Sequence, residues 1–141
     1  MTRINLVDPK ELMDQHLTTE FLELPRIPVQ LQRSINARGI DGVLQMIPKE
    51  FTLNKGHVSF FYDKGFYLTE RYLSLSKELD RREIWHERLL FYDSASIYSE
   101  YSELFGHYTP TEEALVIIRE RIAQKIALKP HWYLYERKLL Q

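Results

Sequence analysis

The chain has no cysteine, which removes disulfides and thiolate metal sites from the chemistry open to it. Its five histidines (His16, His57, His86, His107 and His131) never fall at zinc-like spacing with other ligands, so neither a metal nor a cofactor is expected. Long apolar runs are missing as well. The longest aliphatic stretch, Ala114 to Ile118, is far too short to span a bilayer, and the amino-terminal segment with Arg3, Asp8, Lys10 and Glu11 has no apolar signal-type core. These absences predict a soluble, cytoplasmic protein with no membrane partner. Also lacking is the basic excess by which nucleic-acid-binding proteins usually declare themselves, since the formal net charge is −1. The deficit is local: residues 83–113 carry seven acids against Arg88, a net of −6, and the remainder of the chain carries +5. Such a run is ordinarily a solvated surface; the alternative is acid set apart from a cationic face that meets DNA.

What is present reads as one helical domain over residues 1–141, a length that buries a single core. Asp8-Pro9-Lys10-Glu11 has the form of a helix start, with Asp8 as cap, Pro9 in the first turn and Glu11 completing a capping box. Along the helix that follows, Met13, Leu17, Phe21 and Leu24 fall on one side, and Gln15, His16, Thr19, Glu23 and Arg26 on a polar side interrupted only by Leu12. Pro25 removes a backbone donor and disfavours helical geometry at Leu24, so a kink is expected there before the helix runs on through Val29, Leu31 and Ile35 toward Gly39. Residues 40–54 read as mostly loop. Val58 to Tyr62 reads as a short extended segment or a buried loop. A second helix carries Leu68, Tyr72, Leu75 and Leu79 and ends near Arg82; residues 84–107 form a long connection with room for a short helix. Thr109-Pro110-Thr111-Glu112 opens a third, with Leu115, Ile118, Ile122 and Ile126 as its stripe and Pro130 as its stop. The expected class is all-α: three main helices with long loops, the first kinked at Pro25, and no sheet.

The chemistry begins at the amino terminus. Thr2 is small enough for an aminopeptidase to remove Met1, and the α-amine so exposed ionises about two units below a lysine, near pH 8. Such an amine is partly unprotonated at neutral pH and can attack a sugar carbon, provided a carboxylate manages the charge and protons of the imine that results.

Met1-Thr2-Arg3-Ile4-Asn5-Leu6, then Asp14-Gln15-His16-Leu17, then Glu23-Leu24-Pro25-Arg26, resemble the bacteriophage-type pyrimidine-dimer DNA glycosylase/AP lyase family called endonuclease V, at that family's spacing. Gly56 to Lys64 resembles its central signature and Lys129 to Tyr135 its aromatic tail; residues 83–107 have no clear counterpart. The resemblance implies that the amine of Thr2 displaces the damaged base, that Glu23 is the carboxylate, and that β-elimination then cuts the strand. It implies DNA contacts from Arg3, Arg26, Arg121 and Lys125, with Gln15 and His16 in binding or positioning roles. The implied partner is double-stranded DNA carrying a pyrimidine dimer or an abasic site, bound by a monomer. It further implies a sharply bent duplex with a nucleotide opposite the lesion extruded.

One position departs from the family pattern: Leu22 stands where an arginine precedes the glutamate, so lesion specificity and affinity are the properties it touches. Two other readings remain open, a non-catalytic DNA-binding protein that keeps Met1, and a glycosylase/lyase for a different lesion. Trp132, Tyr133 and Tyr135 could stack on bases, but closing the core is the reading favoured for them, as it is for Val58, Phe60 and Phe61.

Overall fold

A break at Pro25 and a threonine cap at Thr111 mark two of the helix ends in the computed structural model, which describes residues 2–88 and 90–139; Met1 lies outside the described residues. The main helices are α1 (Asp14–Glu23), α2 (Arg26–Met46), α4 (Gly65–Arg81) and α7 (Glu112–Leu128), with short α3 (His57–Phe60), α5 (Leu90–Ser94) and α6 (Ile97–Glu100) between them. At α7 the Thr111 hydroxyl accepts the Ala114 N–H at 3.1 Å, and Glu112 and Glu113 complement the positive end of the helix dipole.

The first cap does less than expected. Asp8 accepts the Lys10 N–H, but it opens only a 3-10 turn, Pro9–Glu11, and α1 starts at Asp14 after an extended Leu12 and Met13. A burial and a surface ion pair explain this: Leu12 is fully enclosed, which pulls the chain off the helical path, and the exposed Glu11 reaches Arg119 of α7 through two bonds of 3.0 Å instead of closing a capping box.

The first helical run breaks at Leu24–Pro25, as expected, although Leu24 keeps right-handed helical dihedrals (φ −54°, ψ −42°). The missing donor at Pro25, and not an extended Leu24, makes the break. Beyond it, α2 runs to Met46, so residues 40–46 are helical where a loop was expected. Gly39 interrupts that helix with φ 75°, a conformation that glycine adopts at no steric cost, and buried Val43 anchors the turn that follows. Val58 to Tyr62 is neither strand nor plain loop. Phe60, Phe61 and Tyr62 are all buried, and a helical turn in the core accommodates three consecutive buried side chains that a one-faced strand cannot.

In the core, Phe21 of α1 stacks on Tyr72 of α4 at 4.5 Å, and Tyr72 on Phe91 of α5 at 5.3 Å. Leu68, Leu75 and Leu79 of α4 and Ala114, Ile118 and Ile122 of α7 are buried in the same cluster. The tail after α7 carries a feature that the sequence did not suggest, an antiparallel pairing of β1 (Leu134–Tyr135) with β2 (Lys138–Leu139). Asp14 pins it: its carboxylate accepts the N–H groups of Glu136 and Arg137, at 3.0 and 2.6 Å, where both residues turn with positive φ. Arg82 backs Asp14 at 3.0 Å and lies 4.3 Å from the Tyr135 ring. Among the described residues, no helix is long and apolar enough to cross a membrane.

Candidate active site

The polar face of α1, the amino-terminal arm, the last turns of α7 and the start of the tail enclose a cleft of about 290 Å³. Arg3, Asn5, Gln15, His16, Thr19, Glu20 and Glu23 line it on one side, and Arg121, Lys125, Lys129, Trp132 and Tyr133 on the other. Five of the residues singled out from the DNA-glycosylase resemblance (Arg3, Gln15, His16, Arg121 and Lys125) thus meet Glu23 in one depression, although Arg121 and Lys125 lie some hundred residues downstream. None of the lining comes from the acidic stretch 83–113.

The charge in this cleft is unbalanced. Four cations (Arg3, Arg121, Lys125 and Lys129) face two carboxylates, and among the described residues none of the four cations forms an ion pair. Burial and then the Arg3 guanidinium lower the pKa of Arg121 from its ordinary value, which registers two like charges held close together. Arg3 donates one bond, to its neighbour's carbonyl on Thr2 at 3.4 Å, and its buried Nε has no partner. Cations assembled at such a cost and left unneutralised suit a polyanion.

Glu23 is the last residue of α1, directly before the break. Its side chain is 17% exposed, and its nearest cation is Arg26 across the break at 3.8 Å. Arg26 itself is exposed and stands outside the cleft lining. His16 packs on Tyr133 with ring centroids 4.7 Å apart, and its buried Nδ1 has no partner. Burial, followed by Arg121 and Lys125, lowers its pKa, so the ring is neutral at neutral pH. Gln15 is engaged at both ends of its amide: Nε2 donates to the Trp132 carbonyl at 2.9 Å and Oε1 accepts the Leu134 N–H at 3.0 Å. It holds the tail against α1 as a neighbouring strand would. Thr2 is 3% exposed and is not among the residues that line the cleft, although its neighbour Arg3 is.

Several participants were not singled out from sequence. Glu20 is the clearest, a carboxylate buried beneath the cleft that accepts the Asn5 N–H (3.1 Å), the Asn5 side-chain amide (2.9 Å) and two bonds from Arg71 of α4 (2.7 and 3.0 Å). The signal was available, because Glu20 sits among Leu17, Phe21 and Leu24 on the apolar stripe of α1, and Arg71 among Leu68, Tyr72 and Leu75 on that of α4. A charge at a core position in each of two helices is a candidate buried pair. Trp132 reverses the core-packing expectation: it is 51% exposed at the rim, with the Lys129 ammonium 4.8 Å from its ring. Tyr133 is buried, as that expectation had it. Among the described residues, no three His, Asp or Glu side chains converge as a metal site.

A cationic cleft lined by a carboxylate, built on an arm and helix carrying Thr2-Arg3, Gln15-His16 and Glu23, is in keeping with the family that the chain matches. Residues 1–92 fit the sequence profile described as pyrimidine dimer DNA glycosylase, and the chain belongs to that family of DNA-repair glycosylases.

Proposed function

We propose that the protein excises cyclobutane pyrimidine dimers from double-stranded DNA and then cuts the abasic strand, using the α-amine of Thr2 after removal of Met1. The observation that carries this reading is the cleft itself, in which Glu23 and four cations without ion pairs among the described residues stand beside the arm that leads to Thr2. The whole chain acts as one catalytic unit and as a monomer.

In the proposed reaction the lone pair of the amine attacks C1′ of the 5′ deoxyribose, the C1′–N bond breaks, and the base leaves with that electron pair. The ammonium so formed gives up one proton, its lone pair makes the second C1′–N bond as the C1′–O4′ bond opens, and a proton is delivered to O4′, which yields a protonated imine. A proton is then removed from C2′, the electrons form a C2′–C3′ double bond, and the C3′–O bond breaks to release a phosphate. Glu23 stabilises the cationic sugar and imine and relays the protons, a role that needs a partly solvated carboxylate close to, but not consumed by, a structural pair. Arg3, Arg121 and Lys125 take phosphate oxygens around the lesion, and Arg26 takes one from outside the cleft. His16, neutral and packed on Tyr133, and Gln15, bound to the tail, position the cleft walls.

Leu22 supports a narrower variant of this reading, a glycosylase/lyase whose lesion range differs, because the position beside Glu23 is 53% exposed and offers no charge to a phosphate. Duplexes carrying a thymine dimer or a simple abasic site separate the possibilities. Base release followed by strand cleavage on the dimer duplex supports dimer excision. Cleavage confined to the abasic duplex means that this protein acts on another lesion, and binding without cleavage of either means that it is a DNA-binding protein only.

A further inference from the structure

The segment that delivers the proposed nucleophile belongs to no helix or strand, yet Thr2 and residues 4–7 are all buried. Buried backbone without secondary structure has to find its hydrogen bonds elsewhere. Here they come from side chains on three other elements. His57 of α3 accepts the Ile4 N–H on Nε2 at 3.0 Å; Glu20 of α1 accepts the Asn5 N–H; and Arg71 of α4 donates to the Val7 carbonyl. Between these ties, Val7 N–H returns to the Asn5 carbonyl in a tight turn at Leu6, whose φ of 57° is left-handed for a non-glycine residue. Such a turn persists where its surroundings determine it from several sides.

His57 is the tie nearest to Thr2 made by a distant part of the chain. Its two nitrogens are assigned by their partners: Nδ1 lies 2.8 Å from the Thr52 carbonyl and therefore carries the proton, which leaves Nε2 as the acceptor that Ile4 requires. The ring is held between Phe51 and Phe61, each 5.4 Å away. Burial holds its pKa down at about 4, so the neutral form persists across the working range of pH.

We propose that His57 is a positioning residue for the Thr2 amine: by fixing the backbone at Ile4 it sets where the nitrogen two residues earlier meets the sugar, with Glu20 and Arg71 as the second point of the clamp. The inference rests on the N-terminal-amine reading given above. It places the importance of the Gly56–Lys64 block in the aim of the arm, where that block otherwise reads as scaffold.

The test compares His57→Gln, which keeps an acceptor at the Nε2 position, with His57→Met, a side chain of similar length whose thioether is only a weak acceptor. Both are scored by single-turnover borohydride trapping on an abasic duplex, by DNA affinity, by thermal unfolding and by peptide mapping of the adduct. Misplacement of a reacting group by about 1 Å can cost 10²-fold in rate, so the Met variant is expected to trap about 10²-fold more slowly than wild type with DNA affinity within about twofold. The Gln variant is expected to recover most of that rate at a similar unfolding temperature. Should the Met variant not fold, His57→Asn, whose shorter amide withdraws the acceptor from the Ile4 N–H, takes its place, and trapping at the wild-type rate in that variant would overturn the proposal. Equal rates in folded Gln and Met variants, with the wild-type adduct on Thr2, would overturn this inference alone. A wild-type adduct on an internal lysine would overturn the N-terminal-amine reading and this inference together.

Discussion

Glu20 and Glu23 stand three residues apart on the same helix and have opposite fates. The Glu20 side chain is 0% exposed, with both oxygens spent on Arg71 and Asn5. Glu23 is the last residue of α1, keeps contact with solvent, and among the described residues has one cation, the Arg26 guanidinium, at 3.8 Å. The helix turn places one carboxylate on the core stripe and the other on the cleft wall, and Pro25 ends the helix before Glu23 can be packed over. Neutralised charge builds the arm, and charge left open lines the cleft. The cations divide in the same way: Arg71 and Arg82 are buried and paired, while Arg3, Arg121, Lys125 and Lys129 are left without carboxylates among the described residues.

Substitution at the two glutamates is the sharpest way to break this contrast. Glu23→Gln is expected to lower single-turnover excision and strand cleavage by about 10²–10⁴-fold, the usual range for a general acid/base, with thermal unfolding nearly unchanged. Glu20→Ala is expected to do the reverse in kind. It strands Arg71 in the core, and denaturant unfolding should report a loss of about 3–5 kcal/mol. A Glu23 variant that unfolds, or a Glu20 variant of full stability, would invert the assignment.

His57 adds a pH dependence on the structural side. Its folded pKa, about 4, lies below the ordinary 6.5, so between those values the unfolded chain binds a proton that the folded protein does not. The stability it contributes is fully present above pH 6.5 and lost as pH falls toward 4, by up to about 3 kcal/mol. Denaturant titrations across that range should show the slope in wild type and a weaker one in His57→Gln; identical slopes would mean that other groups carry it.

Effects on the cationic side are smaller and specific to salt. Arg121→Ala and Lys125→Ala are each expected to weaken DNA binding and to make the plot of log affinity against log salt shallower by about 0.9. Leu22→Arg should steepen it by about the same amount, and lesion discrimination may be compared in the same titration. An unchanged slope in Leu22→Arg would mean that the phosphates pass elsewhere, and the role given to the nearby Arg26 would lose support.

Much of this organisation could be read from the sequence, because stripes, caps and prolines act locally. The spacing of Leu68, Tyr72, Leu75 and Leu79 marked α4, the Thr109-to-Glu112 block marked the start of α7, although the cap is Thr111 and not Thr109 ahead of the proline, and Pro25 marked the break beside Glu23. What was missed depends on partners far along the chain. The tail hairpin is held by Asp14 and Gln15, more than a hundred residues away, and no local pattern announces it. Trp132 follows a helix as core aromatics do, yet the same tail geometry that buries Tyr133 turns it outward to the rim. Glu20 and Arg71 were visible as charges on apolar stripes, but their pairing needed the packing of α1 on α4.

The central claim is that the nucleophile is the α-nitrogen of Thr2, and its most direct test is peptide mapping of the borohydride adduct formed by protein whose intact mass shows loss of Met1. A reduced sugar–DNA adduct is expected on the Thr2 nitrogen, and no adduct once that amine has been acetylated. An adduct on a lysine side chain, or undiminished cleavage by the acetylated protein, would contradict it.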